Sequence, residues 1–270
     1  MLPPPRLSRA RRPLLALLPG APPELWRYSR ASLQRLATLA QTEGVRILTW
    51  TINSDFSVPA LQWPAQQLYL HRGLAAARRL GVSLLRVNLG QDAEADDAVV
   101  ARRLSAFAEF SLRRLGKLEV TVENHWGISS DIDRHLRIVR DAAGRLPASL
   151  RNRFGCCFDP HNVPRDGASD AGRERWWREL ALAANHFHFK TGAFDASGND
   201  TTLPHGHLLA LLAEAGYQGC ATTEFHGDGD AVEAVRKSRL LLARLWAQAF
   251  AGGEDRRPNS SPPARMTPEL

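Results

Sequence analysis

The sequence predicts an α/β chain of the (β/α)8 barrel type whose first βα unit is missing or degenerate. Apolar strand-like runs alternate with helical stretches from residue 31 to about 248, and repeated βα units imply parallel strands joined by helical crossovers. Glu123, Asp159, His188 and Glu224 stand at the ends of successive strand runs; in a barrel of parallel strands such tips all face one mouth. The length of 270 residues suits a fold that usually takes about 250.

Each element carries its own signal. Leu33, Leu36, Ala37 and Ala40 form a helical stripe, with Gly44 just past its end. The run 45–52 is β-branched and aromatic and reads as a strand. A long helix ends at 79–81, strand 82–89 follows, and a helix over about 95–115 stops at Gly116. Strand 118–122 leads to Glu123, and then come helix 131–143, strand 154–159 and helix 170–183. Strand 186–190, helix 204–215 with Gly216 after it, strand 219–224 and helix 230–248 complete the pattern.

These runs amount to six clear strands, where eight would close a barrel. The gap at 191–203 has room for one short strand. The other has to precede the helix at 31–43, where the sequence offers only a Pro-rich stretch. A missing first strand exposes two sheet edges. Either residues 10–30 fill the place poorly, a second chain covers it, or the native chain starts further upstream.

The ends read differently from the body. Residues 1–30, rich in Arg and Pro, are expected to form a poorly ordered arm, 31–249 the barrel, and 250–270 a disordered tail. The net charge of +7 is concentrated in the arm, where six Arg face only Glu24. That distribution argues against a nucleic-acid-binding face. No apolar run approaches the ~18 residues of a membrane span. Three cysteines make no disulfide framework. Cys156 and Cys157, adjacent in one strand, face opposite sides and cannot chelate together, and all three cysteines read as buried, inert thiols of a cytoplasmic protein.

Taken singly, each strand-end residue has a plain structural explanation: a Glu that caps or pairs with a neighbour, a His hydrogen-bonded in a core. Jointly they form a ligand set of two Glu, one Asp and one His. Such a set suits one hard divalent cation (Mn2+, Mg2+ or Co2+) or a thiolate-free Zn2+ site. A cation there would polarise the carbonyl of a hydroxy-ketone or hydroxy-aldehyde and acidify the adjacent C–H. Glu123 and Glu224 would move that proton through a metal-bound enediolate, giving isomerisation or epimerisation. Asp159 and His188 would only hold the ion.

The segments 122–129 (VENHWGIS), 158–162 (FDPHN), 188–190 (HFK) and 223–227 (TEFHG) resemble the sugar phosphate isomerase/epimerase family with the xylose isomerase-like barrel. The segments 85–90 (LRVNLG) and 216–219 (GYQG) also fit its pattern. The resemblance spans roughly residues 31–246. It implies a TIM barrel, a divalent metal on Glu123, Asp159, His188 and Glu224, and proton transfer by the two glutamates. It also implies a small carbohydrate substrate, with no membrane partner and no nucleic acid; a homo-oligomer is compatible with it.

Other positions carry over more loosely. Arg86 would hold a substrate phosphate or carboxylate, or else form a rim salt bridge. Lys190 lies two residues after His188 on the same strand face and is assigned a substrate contact. His125 would meet a hydroxyl, Trp126 would form an apolar wall or simply pack, and Asn162 would contact a hydroxyl without shuttling a proton.

The departures from the family pattern are Thr191, where Asp is usual, and the stretch 204–207 (PHGH) in place of a glycine-rich turn. They motivate a second reading, a non-catalytic barrel used for binding or scaffolding. A third reading is a same-fold endonuclease acting at abasic DNA. Asn53 and Asn88, standing where that multi-zinc chemistry needs His, count against it.

Overall fold

A computed structural model describes residues 14–17, 29–164 and 169–250 of the protein. Seven parallel strands form one sheet in chain order: β1 (Leu14–Leu17), β2 (Arg46–Ile52), β3 (Leu84–Val87), β4 (Glu119–Glu123), β5 (Phe154–Phe158), β6 (Ala184–Thr191) and β7 (Cys220–Phe225). The connecting helices are α1 (Arg30–Thr42), α2 (Trp63–Leu80), α3 (Asp97–Arg114), α4 (Ile132–Arg145), α5 (Ala148–Arg151), α6 (Asp170–Ala183), α7 (His205–Glu214) and α8 (Ala231–Phe250). Helices open where a short polar side chain accepts a backbone N–H of the first turn: Ser29 for α1, Asp96 for α3, Asp131 for α4 and Ser169 for α6.

Of the two places where a strand was lacking, the first is filled by a short strand from residues 10–30, one of the alternatives open for it, and the second is corrected. Within the presumed arm, Leu14–Leu17 pairs in parallel with β2, Leu14 opposite Arg46 and Leu17 opposite Trp50, so the sheet begins before residue 31. The run is only four residues long and has no alternation of its own; the exposed edge of β2 is what selects it. Of that presumed arm, Ser29 and Arg30 cap and open α1, while residues 1–13 and 18–28, like 251–270, lie outside the described residues. The gap at 191–203 holds no parallel strand. It is a loop closed by an antiparallel bridge between Phe194 and Asp200. Asp200 accepts hydrogen bonds there from the backbone N–H groups of Gly192, Ala193, Thr202 and Leu203. Among the described residues no strand joins β7 to β1, and every residue of β7 is half-buried.

Toward their C-terminal ends the strands alternate between two environments. Trp50, Ile52, Leu85, Val87, Val120, Val122, Cys156, Phe158, Phe187 and Phe189 belong to the apolar core packed under the helices. The intervening residues Thr49, Thr51, Arg86, Thr121, Glu123, Cys157, His186, His188 and Lys190 are equally buried but polar, and face the interior of the sheet's curve. Two-residue alternation therefore separates a helix-facing core from an interior layer of chemistry. No described helix is long and apolar enough to cross a membrane.

His135 on α4 shows how the core treats a titratable group. It is fully buried, its Nδ1 lies 3.0 Å from Ser129 Oγ, and its Nε2 lies 3.5 Å from Cys156 Sγ. Burial lowers its pKa from 6.5 to about 3. Below pH 6.5 the unfolded chain therefore binds a proton that the native state refuses, and native stability falls as the pH falls. The stability advantage of the wild type over His135→Gln should shrink by about 1.4 kcal/mol per pH unit between pH 6.5 and 5. Urea denaturation at several pH values measures this, and a pH-independent difference contradicts it.

Candidate metal centre

Strand register brings the four strand-end residues together. Glu123 closes β4 opposite Cys157, two residues short of Asp159. Phe158 pairs with Phe187, which sets Asp159 level with His188. His188 pairs with Thr222, two residues short of Glu224, and Lys190 faces Glu224 directly. Tilted barrel strands produce such a stagger, so the inward residue at the mouth comes later in register around the wall.

The resulting geometry centres on one nitrogen. His188 Nδ1 lies 3.2 Å from Glu123 Oε1, 3.4 Å from Glu224 Oε1 and 3.6 Å from Asp159 Oδ2, yet none of these contacts is aligned as a hydrogen bond. Ligand atoms of Glu123, Asp159 and His188 lie within 4.8 Å of one another. Glu224 touches His188 from the edge strand, outside that triad. Glu123, Asp159 and His188 are at most 1% exposed, while the Glu224 side chain is 15% exposed.

Two fixed cations balance the acids. Lys190 Nζ stands 2.6 Å from Asp159 Oδ2 and 3.3 Å from Glu224 Oε2, and the Arg86 guanidinium pairs with Glu123 Oε2. Three carboxylates against two cations leave one negative charge, which His188 answers. Burial opposes a charged imidazole, but Cys157, Asp159 and Glu224 outweigh it and raise His188 to about 10. Burial would likewise raise the Asp159 carboxyl, but His188 and Lys190 hold it well below its usual range. Two carboxylate oxygens and an imidazole nitrogen, all buried and converging, with His188 Nδ1 lacking an aligned partner, fit a hard divalent ion in place of that proton.

The remaining expected residues fall around the same mouth. The Arg86 guanidinium pairs with Glu123, and its Nη2 donates to Asn88 Oδ1 at 3.5 Å. Lys190 likewise bridges Asp159 and Glu224. Asn162, on the 3-10 turn Pro160–Asn162, donates to Glu123 Oε1 at 3.4 Å. His125 and Trp126 are half-buried on the rim, with their rings edge to face at 6.0 Å. Burial, Arg86 and Lys190 lower His125 to about 4, so it is neutral near pH 7. Thr191, the departure from the family pattern, meets Ser238 Oγ at 2.7 Å and ties β6 to α8.

Sequence reasoning missed Asn124, Cys157 and His186. Asn124 is fully buried and clamps the Asp159 peptide: its Nδ2 donates to Asp159 O and its Oδ1 accepts from Asp159 N, both at 2.8 Å. No local pattern marks that role, because the partner lies 35 residues away. Cys157 and His186 did carry a signal, since each stands two residues before an assigned ligand and so shares its face.

A parallel barrel wall with acids and imidazoles at the C-terminal ends of its strands defines a TIM-barrel protein with its site in the mouth. The family model for the xylose isomerase-like TIM barrel matches residues 15–245, and the chain belongs to that family. A curated relative from a Microbacterium species, the 3'-dehydrocarminate deglycosidase alpha subunit, is 30% identical over 117 residues, covering 40% of this chain and 33% of the relative. The match thus spans about a third of that relative's length. L-ribulose 3-epimerase gives a TM-score of 0.64 at 15% identity, covering 92% of this chain and 88% of its own. A xylose isomerase-like TIM barrel protein from Mycobacterium smegmatis, in complex with magnesium, gives 0.62 at 14% identity, covering 83% and 81%. At such identities the structural likeness shows the fold.

The Asn124 clamp has a measurable consequence. Asn124→Ala leaves the buried Asp159 N–H without its partner, and such a loss costs about 1–3 kcal/mol per group. Urea unfolding should show a destabilisation of about 2 kcal/mol; a neutral substitution would mean the clamp carries no weight.

Proposed function

We propose that this chain is a divalent-metal-dependent isomerase or epimerase of a sugar, a sugar phosphate or a related polyol ketone. The observation that carries the reading is the convergence of Glu123, Asp159 and Glu224 oxygens on His188 Nδ1 at 3.2 to 3.6 Å. Membership of the xylose isomerase-like family supports it, as does the likeness to an epimerase of a ketose. The ion would be held by Glu123, Asp159 and His188, with Glu224 completing the set, and when bound it supplies Lewis-acid polarisation of a carbonyl. The magnesium-bound relative fits that chemistry.

The chain's own residues do the rest. Glu224, the acid most open to solvent, takes a proton from the carbon beside the carbonyl, and Glu123 returns one from its own strand. Arg86 beside Glu123 and Lys190 beside Glu224 aim the two carboxyl groups, Glu224 starting as the carboxylate that accepts the proton and Glu123 as the carboxylic acid that donates one. Neutral His125 hydrogen-bonds a hydroxyl, Trp126 offers an apolar ring face to the sugar, and the Asn162 amide orients Glu123.

A second reading follows from the Microbacterium relative, whose name specifies deglycosidation of a dehydro compound. Removing a proton beside a carbonyl also starts elimination of a group one carbon further on, so cleavage of a keto-glycoside needs the same base.

Incubation with Mn2+ and a ketose such as L-ribulose in D2O tests the proposal. Deuterium should enter the carbon next to the carbonyl, and Glu123→Gln or Glu224→Gln should each slow entry by about 10²-fold or more. Unchanged exchange in both variants would remove the glutamates from the mechanism. Release of an aglycone from a keto-glycoside, without exchange into free ketoses, would select the second reading. Metal-free protein whose stability ignores EDTA, and which exchanges nothing, would instead mark a binding barrel.

A further inference from the structure

Beneath the mouth acids lies another inward-facing layer. Two residues back along β5 and β6 from Asp159 and His188 stand Cys157 and His186. At about 3.3 Å of rise per residue they sit roughly 7 Å deeper in the barrel. Cys157 Sγ and one ring nitrogen each of His186 and His188 lie within 4.8 Å of one another. Cys157 and His186 have no exposed surface. His186 Nε2 meets Thr222 Oγ1 at 3.1 Å, but its Nδ1 has no hydrogen-bond partner. A fully buried ring nitrogen without a partner is costly unless something occupies the space it faces. Cys157 also stays out of the apolar core to which its neighbour Cys156 belongs.

We propose that Cys157, His186 and His188 form a binding site for a thiophilic divalent cation of the zinc type, one layer below the hard-donor set and sharing His188 with it. One sulfur and two imidazole nitrogens, with a fourth position open, are a donor set that borderline-soft ions prefer and that Mg2+ does not. Ligation releases to solvent any proton the sulfur carries. Thr222, the neighbour of His186, is half-buried on β7, whose outer edge pairs with no described strand. The assignment does not depend on isomerase chemistry in the mouth, although His188 is common to both sets.

Titration of the purified full chain with Co2+ tests it. The expected result is a saturable near-ultraviolet thiolate-to-cobalt charge-transfer band that Cys157→Ser abolishes and that Cys156→Ser and Cys220→Ser retain. His186→Gln should weaken Co2+ affinity by at least about tenfold, since even outer-shell partners contribute that much. Thermal unfolding establishes that each variant is folded. Should Cys157→Ser fail to fold, X-ray absorption of zinc-loaded wild type decides, with a sulfur neighbour expected at about 2.3 Å. A wild type without the band, a band unchanged in Cys157→Ser, or zinc bound only to nitrogen and oxygen overturns the assignment. Mn2+ uptake by the same variants reports separately on the upper carboxylates.

Discussion

Burying three carboxylates at one barrel mouth obliges the wall to supply positive charge beside them. Glu123, Asp159 and Glu224 sit on three strands, and the strands next to them provide Arg86 and Lys190. An uncompensated buried charge costs about 3–5 kcal/mol, and these two cations offset that cost. This explains why Arg86, on a strand facing the mouth, is held by Glu123 rather than presented to solvent. It also explains the pull on His188: the residual negative charge is met by a proton on its ring or by an ion bound in its place.

That compensation works only because the strands are staggered and alternating. Each inward polar residue has outward apolar neighbours, and the outward set welds the helices to the wall. The interior is therefore free to be polar along its whole depth, from Thr121 and Cys157 up to Glu123 and Asp159. A barrel interior filled with Val and Leu would have been more stable and inert. Here the same positions carry hydroxyls on Thr49, Thr51 and Thr121 and a nitrogen on His186 that have no protein hydrogen-bond partner among the described residues, groups that call for water or another polar partner.

The rim is held by backbone as much as by side chains. Gly127 adopts φ +62°, and a Cβ there would strike the Gly90 carbonyl oxygen; Ile128 N–H also bonds to Gly90 O at 3.0 Å. Ser54 bonds to both backbone groups of Asn88, and Phe56 N–H to Leu89 O. The loops after β2, β3 and β4 are thereby locked together, and His125 and Trp126 ride on that lock. On the opposite side Thr191 and Asp200 fasten the loop after β6. Both flanks of the acids are tied by these bonds, and among the described residues no strand joins β7 to β1.

Much of this was legible in the residues. Strand runs 45–52, 82–89, 118–122, 154–159, 186–190 and 219–224 stand out because β-branched and aromatic residues cluster between helical stripes, a strictly local pattern. The strand-end positions of Glu123, Asp159, His188 and Glu224 followed from those runs. β1 was not legible, since four residues bounded by Pro become a strand only when β2 offers an edge. Nor was the Asn124 clamp, the claim of Glu123 on Arg86, or the meeting of Cys157 with His186 and His188. The sequence alone determined which residues alternate inward, because a strand's period of two is a property of the chain. Only the tertiary structure decided which of them meet, because contacts across the barrel depend on strand tilt and register, and these arise from packing between segments far apart in the chain.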